Sequence, residues 1–133
     1  DSEKTVKVIA GKFNSTEGPV NKHNVHPLYF DVVLNKHKIF DFNLPETHNS
    51  FIYLINGEIK VGEKKHEKIT DSKLVLLTKG SKLKVESLIK SNFLLISGKP
   101  IGEKIARGGP FVMNTKAEIL EAINDYHNGT FVK

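Results

Sequence analysis

Apolar and polar residues alternate in short bursts along most of the chain, and the spacing changes near its end. Residues 5–10 alternate, and in residues 28–34 Leu28, Phe30, Val32 and Leu34 fall on one face with Tyr29, Asp31 and Val33 on the other. That period of two is the pattern of a half-buried strand. Phe40, Phe42 and Leu44 repeat it before Pro45, and residues 50–55 form a nearly all-apolar strand. Asn56-Gly57 follows, a pair that tolerates positive φ and so suits a tight hairpin turn, and residues 58–61 return from it. Residues 73–78, 82–88 and 92–97 supply three more strands, with turns expected at Lys79-Gly80 and Ser91-Asn92. Many short strands separated by Gly and Asn turns predict an all-β sandwich or barrel.

The last segment has a different period. Thr115 and Glu118 have the spacing of a capping box, Ile119, Leu120, Ile123 and Tyr126 mark one helical face, and Asn128-Gly129 supplies a stop. A helix over about 115–127 is expected, roughly three turns long. Just before it, Phe111, Val112 and Met113 are apolar where a polar linker would be expected. The block Pro110, Phe111, Val112, Met113 and Asn114 is therefore a candidate interface, or else packs on the domain's own barrel.

At 133 residues the chain is long enough for one domain, 1–133, that buries roughly two-thirds of its unfolded surface. No apolar run approaches the ~18 residues of a membrane span. The opening DSEKTVKVIA has charges where a signal peptide is apolar, so a cytoplasmic location is expected. The absence of cysteine excludes disulfides, thiolate catalysis and cysteine zinc sites. A net charge of +5 raises the question of nucleic acid, but of the 20 basic residues only Arg107 is an arginine, and acids are interspersed among the lysines. Specific readers of nucleic acid favour the arginine fork, so solvated lysines on strand faces explain the charge better.

Candidate chemistry is sparse. A catalytic metal needs two or three imidazoles converging with a carboxylate. His23 and His26 are three apart, but Pro27 and the neighbouring asparagines put them in a loop. His37 has no partner in the pattern, His66 falls in a charged hairpin tip, and His127 at a helix end. His48 immediately precedes a strand, and Asp41 or Glu58 could face a barrel interior. No nucleophile elbow is present, and Gly108-Gly109-Pro110 lacks the spacing of a phosphate loop.

LPETHNSFIYLINGEIKV, then KLVLLTKGSKLKV, then the ending GPFVMNT with a short helix and DYHNGTF, together resemble the carboxy-terminal domain of the pirin family. The resemblance implies a small cupin-like, jelly-roll β-barrel with one carboxy-terminal α-helix. It also implies that iron or a similar metal belongs to a separate amino-terminal cupin half, held there by histidines and a glutamate. Some members of the family act as quercetin 2,3-dioxygenases, and animal members are nuclear proteins reported to modulate transcription factors. Counted from Gly57 in the cupin pattern, the histidine positions fall at Asn43 and Pro45 and the glutamate position near Ser50. The last histidine position, counted from Gly80, falls at about Leu83.

No catalytic, cofactor-binding or metal residue is therefore expected in this chain. The expected role is a non-catalytic domain that packs against a metal-bearing cupin half or forms a homodimer, with Phe111, Val112 and the helix face near the contact. Two alternatives remain open: a fragment of a metal-dependent quercetin 2,3-dioxygenase, and a small-molecule-binding barrel lined by Phe42, Phe51 and Tyr53.

Overall fold

The alternating segments form strands, as the computed structural model shows for residues 3–20, 24–62 and 67–132. In chain order these are β1 (Lys4–Ala10), β2 (Lys12–Phe13), β3 (Thr16–Glu17), β4 (Leu28–Leu34), β5 (Ile39–Asn43), β6 (Asn49–Asn56) and β7 (Glu58–Val61). They continue with β8 (Glu67–Thr70), β9 (Lys73–Leu76), β10 (Lys82–Ser87), β11 (Ser91–Gly98), β12 (Ala106–Gly108) and β13 (Phe111–Met113). One helix, α1 (Lys116–Asn128), follows. By their contacts the strands and helix fall into two compact units, Asp1–Pro100 and Ile101–Lys133. No helix is long and apolar enough to cross a membrane among the described residues.

The first unit is built from two large antiparallel sheets and a two-stranded ribbon, β2-β3. One has the order β1-β4-β11-β6-β9 and the other β5-β10-β7-β8. Their inner faces share one core, in which Phe30, Val32 and Leu34 of β4, Ile52 and Leu54 of β6, and Phe93 and Leu95 of β11 meet Phe40, Ile59 and Val85 of the second sheet. The chain turns at Asn56-Gly57, but not into the hairpin the sequence predicts: β6 pairs with β11 and β9 in one sheet and β7 with β10 and β8 in the other, so the turn carries the chain across the core from sheet to sheet. Gly57 has φ +101, and its N–H donates to Asp71 Oδ1 at 2.7 Å. A Cβ there would lie 2.7 Å from Ser91 Cα, so only glycine fits against the start of β11.

Ser91-Asn92, expected as a turn, instead begins β11. Ser91 is buried, and its hydroxyl meets Glu58 O at 3.0 Å and accepts from Glu58 N–H at 3.1 Å. The hydroxyl thus fastens the strand's start to β7, and the chain bends one step earlier, at residues 88–90.

In the second unit, β12 and β13 form a short hairpin with Gly109-Pro110 at its turn. Thr115 caps α1 and Glu118 closes the capping box, while Gly129 ends it in the left-handed conformation. The helix buries Ile119 and Ala122, and a Cβ on Gly108 would lie 2.4 Å from Ile119 Cγ2, so the missing side chain lets the hairpin press on the helix. Leu120 and Tyr126, expected on the apolar face, are exposed. The buried stripe runs through Ile119 and Ala122, three residues apart, and Leu120 lies to one side of it.

Candidate functional site

The strand ends place the candidate residues at one end of the first unit. β5 closes opposite the start of β10, with Asn43 across from Lys82 and Phe42 across from Leu83. β6 begins where β11 finishes, with Ser50 opposite Ser97, and Leu77 N–H donates to Ser50 O at 3.0 Å at the end of β9. Here a cupin-type site would gather its ligands, with β5, β6 and β10 contributing.

The side chains turned inward at this end are not those the count from Gly57 selects. Asn43 and Pro45 are exposed, whereas Phe40 and Leu44 are buried and Phe42 packs against the core. The inward parity of β5 is thus that of residues 40, 42 and 44, which corrects the assignment of Asn43 and Pro45. The reason is that residues 44–48 form a turn, and a count carried across it does not preserve strand parity. Leu83 is buried as the count requires, and Ser50 is half-buried.

Rings fill the space behind these positions. Phe13 and Phe40 stack at 5.7 Å, Phe30 meets Phe42 edge-on at 5.1 Å, and Phe40 meets Phe93 edge-on at 5.7 Å. Such offset and edge-on contacts are the favoured arrangements of aromatic pairs.

A small polar cluster lies at the start of β6 and the end of β11. His48 is buried, and its Nδ1 lies 3.0 Å from Ser97 Oγ, which accepts from Ser50 Oγ at 2.8 Å. Burial holds the imidazole below its ordinary pKa, and the charges of His26, Lys79 and Lys99 push the same way. Lys79 Nζ donates to His48 O and to Asn49 Oδ1, both at 2.9 Å, tying the 77–81 loop to the start of β6.

The donor set does not fit a metal of the cupin kind. Two leucines, a phenylalanine and a serine occupy the inward positions, and the single imidazole is engaged with a hydroxyl. A transition metal requires three or four nitrogen, oxygen or sulfur donors in a fixed geometry. No group of three or more His, Cys, Asp or Glu side chains suited to a metal occurs among the described residues.

Of the other candidates, His26 lies near enough for its charge to act on His48, and the rest are dispersed. His23 and His66 lie outside the described residues. His26 and His37 occupy left-handed turn positions, and His127 sits in the last turn of α1. Asp41 is exposed, and Glu58 pairs with Lys68 at 2.9 Å, so neither serves the interior. Phe51 and Tyr53 do not line a barrel pocket with Phe42. In a strand whose buried residues are Ile52 and Leu54 they point outward, and Tyr53 is exposed. The Pro110–Asn114 block (residues 110–114) divides. Phe111 packs on Phe131 at 5.2 Å and Tyr126 at 6.4 Å, and Met113 is half-buried, while Pro110 and Val112 are exposed. Asn114 Nδ2 donates to Glu103 Oε2 at 2.8 Å and to Lys104 O at 3.1 Å. Sequence reasoning missed the His48–Ser97–Ser50 cluster, because two isolated serines in apolar strands carry no signal of their own.

Comparison with known proteins places these features in a family. The chain is 33% identical to a pirin-like protein of Caulobacter vibrioides over 132 residues, covering 98% of this chain and 47% of that protein. It is 35% identical to human pirin over 127 residues, covering 93% of this chain and 43% of pirin. A crystal structure of quercetin 2,3-dioxygenase from Acinetobacter baumannii superposes with a TM-score of 0.85 at 30% identity, covering 98% of this chain and 45% of that one. The chain spans about half the length of the curated relatives it matches. The family model described as the pirin C-terminal cupin domain matches residues 29–132, and the chain belongs to that family.

Proposed function

We propose that this domain is non-catalytic in itself and acts as the packing and recognition partner of a metal-bearing cupin half. The observation that carries the reading is the filling of the ligand-bearing end by Phe42, Leu44 and Leu83, which offer no lone pair to a metal. Oxygenase chemistry in a cupin needs a metal with an open coordination position. A side chain set with too few donors for a metal supplies structure, and what remains to be recognised is the surface around it.

A second reading is favoured by the likeness to the Acinetobacter baumannii quercetin 2,3-dioxygenase. In it the domain is a part of such an enzyme, and flavonol oxidation belongs to the whole protein. Both readings expect the isolated chain to be inactive, and they differ in what an added cupin half restores.

The test combines turnover and association. Quercetin consumption is followed with this chain alone, then after mixing it with the segment of the Caulobacter vibrioides pirin-like protein that it does not match. Association without turnover by the chain alone is the expected result, and turnover restored in the mixture favours the second reading. Quercetin oxidation by the chain alone overturns both, and lack of association at high concentration overturns the packing role.

A further inference from the structure

At the end of the first unit where β5 and β9 finish and β10 begins, the two sheets leave a cleft of about 320 Å³. That volume is at the lower end of what a small-molecule site occupies. Its floor consists of Leu44, Val61 and Leu83, all buried, and Val75 and Leu77 form a half-buried wall. These side chains already pack against one another beneath the cleft, so an apolar guest would meet a preformed apolar surface.

The rim has the opposite character. Lys82 and Lys84 stand at the start of β10, and Glu67 is the one carboxylate among the described lining residues. Lys79 and Lys99 lie at the same end of the unit, where they help to hold the His48 imidazole uncharged. An electropositive mouth over an apolar floor selects for a guest that is itself divided into two parts.

We propose that this cleft binds an amphipathic carboxylate, its apolar body resting on Leu44, Val61 and Leu83 and its head group held by Lys82 and Lys84. A bare phosphate would leave the floor unused. A neutral apolar guest would gain nothing from the lysines, and an amine would be repelled by them. The ligand thus follows from the same substitution that removes metal donors: at Leu44 and Leu83 a hydrocarbon surface replaces lone pairs.

Sodium octanoate is a suitable probe, with 1-octanol and octylamine as controls of matched chain length. The full chain is titrated with each at pH 7.5 while methyl resonances of Leu44, Val61 and Leu83 are followed by NMR. Octanoate is expected to shift these methyls saturably and to bind about tenfold more tightly than octanol, the effect of one charge-assisted contact. The double variant Lys82→Gln/Lys84→Gln should lower octanoate affinity to that of octanol and leave octanol unchanged. Leu77→Trp, which fills the cleft from its half-buried wall, should weaken both. Absence of saturable shifts up to about 5 mM octanoate, which corresponds to a free energy near the weakest useful binding, overturns the proposal. Equal affinity for octylamine does so as well, as do shifts confined to Tyr53 and Leu74, which do not line the cleft.

Discussion

Replacing Phe40 with alanine probes whether the interior of the first unit is a packed core or a vacated site. The ring is fully buried, with Phe13 and Phe93 each at 5.7 Å and Phe42 at 6.1 Å. Withdrawing its apolar surface costs up to about 3 kcal/mol, and each lost aromatic pair adds about 0.5–1.5 kcal/mol. These contributions overlap because the same atoms make them. Measured Phe→Ala series in cores converge on about 3–5 kcal/mol once the residual cavity is included. Against a total stability of about 5–15 kcal/mol for a domain, that is a fifth or more of the whole. Urea unfolding at pH 7.5, followed by far-UV circular dichroism because the chain has no tryptophan, gives the difference directly. Tyr53→Ala, on the outer face, is the control and should change stability by no more than about 0.5–1 kcal/mol. A loss below about 1 kcal/mol for Phe40→Ala at an unchanged denaturant slope would refute the packed interior.

Further expectations follow from single positions. Gly57→Ala combines a φ of +101 with a Cβ 2.7 Å from Ser91 Cα, and should cost more than about 1–3 kcal/mol in chemical denaturation. Gly80→Ala, where an added Cβ meets nothing within 4 Å, should be neutral in the same experiment. Because the folded pKa of His48 is lowered, the unfolded chain binds more protons near it; stability is therefore full above about pH 6.5 and falls as pH drops through the lower folded value. His48→Asn, which keeps a polar group near Ser97, should flatten the slope of unfolding free energy between pH 7 and 5; an unaltered slope would assign it to other groups. Thr115→Ala removes the hydroxyl that accepts from Glu118 N–H and should cost the helix about 1 kcal/mol, seen as faster amide exchange in residues 116–119.

Much of the fold was legible because its signals are local. The alternation in residues 28–34 and the Thr115–Glu118 box each fix backbone geometry within a few residues, and β4 and α1 appear where they were expected, whereas Asn56-Gly57 turns the chain but leads β6 and β7 into different sheets, a choice of partner that no local signal makes. Elements of two or three residues carry too few positions for a period. So β2, β3 and the β12–β13 hairpin escaped notice, and the charged β8 reads as part of a hairpin tip.

The candidate site was less legible, since it depends on which way residues point after a turn. A one-residue difference across residues 44–48 exchanged Asn43 and Pro45 for Phe42 and Leu44 at the inner face. The serines of the His48 cluster come from strands 47 and more residues apart, a juxtaposition only the sheet order creates.

The central claim is that the ligand-bearing end of this cupin is closed to a metal by its own side chains. Elemental analysis of the full chain, purified without a histidine tag after growth in medium supplemented with iron, manganese, nickel and zinc, tests it most directly. The account predicts transition metal at well below one atom per chain, with Leu44→His and Leu83→His together needed before any is retained. One tightly held metal atom per wild-type chain would contradict it.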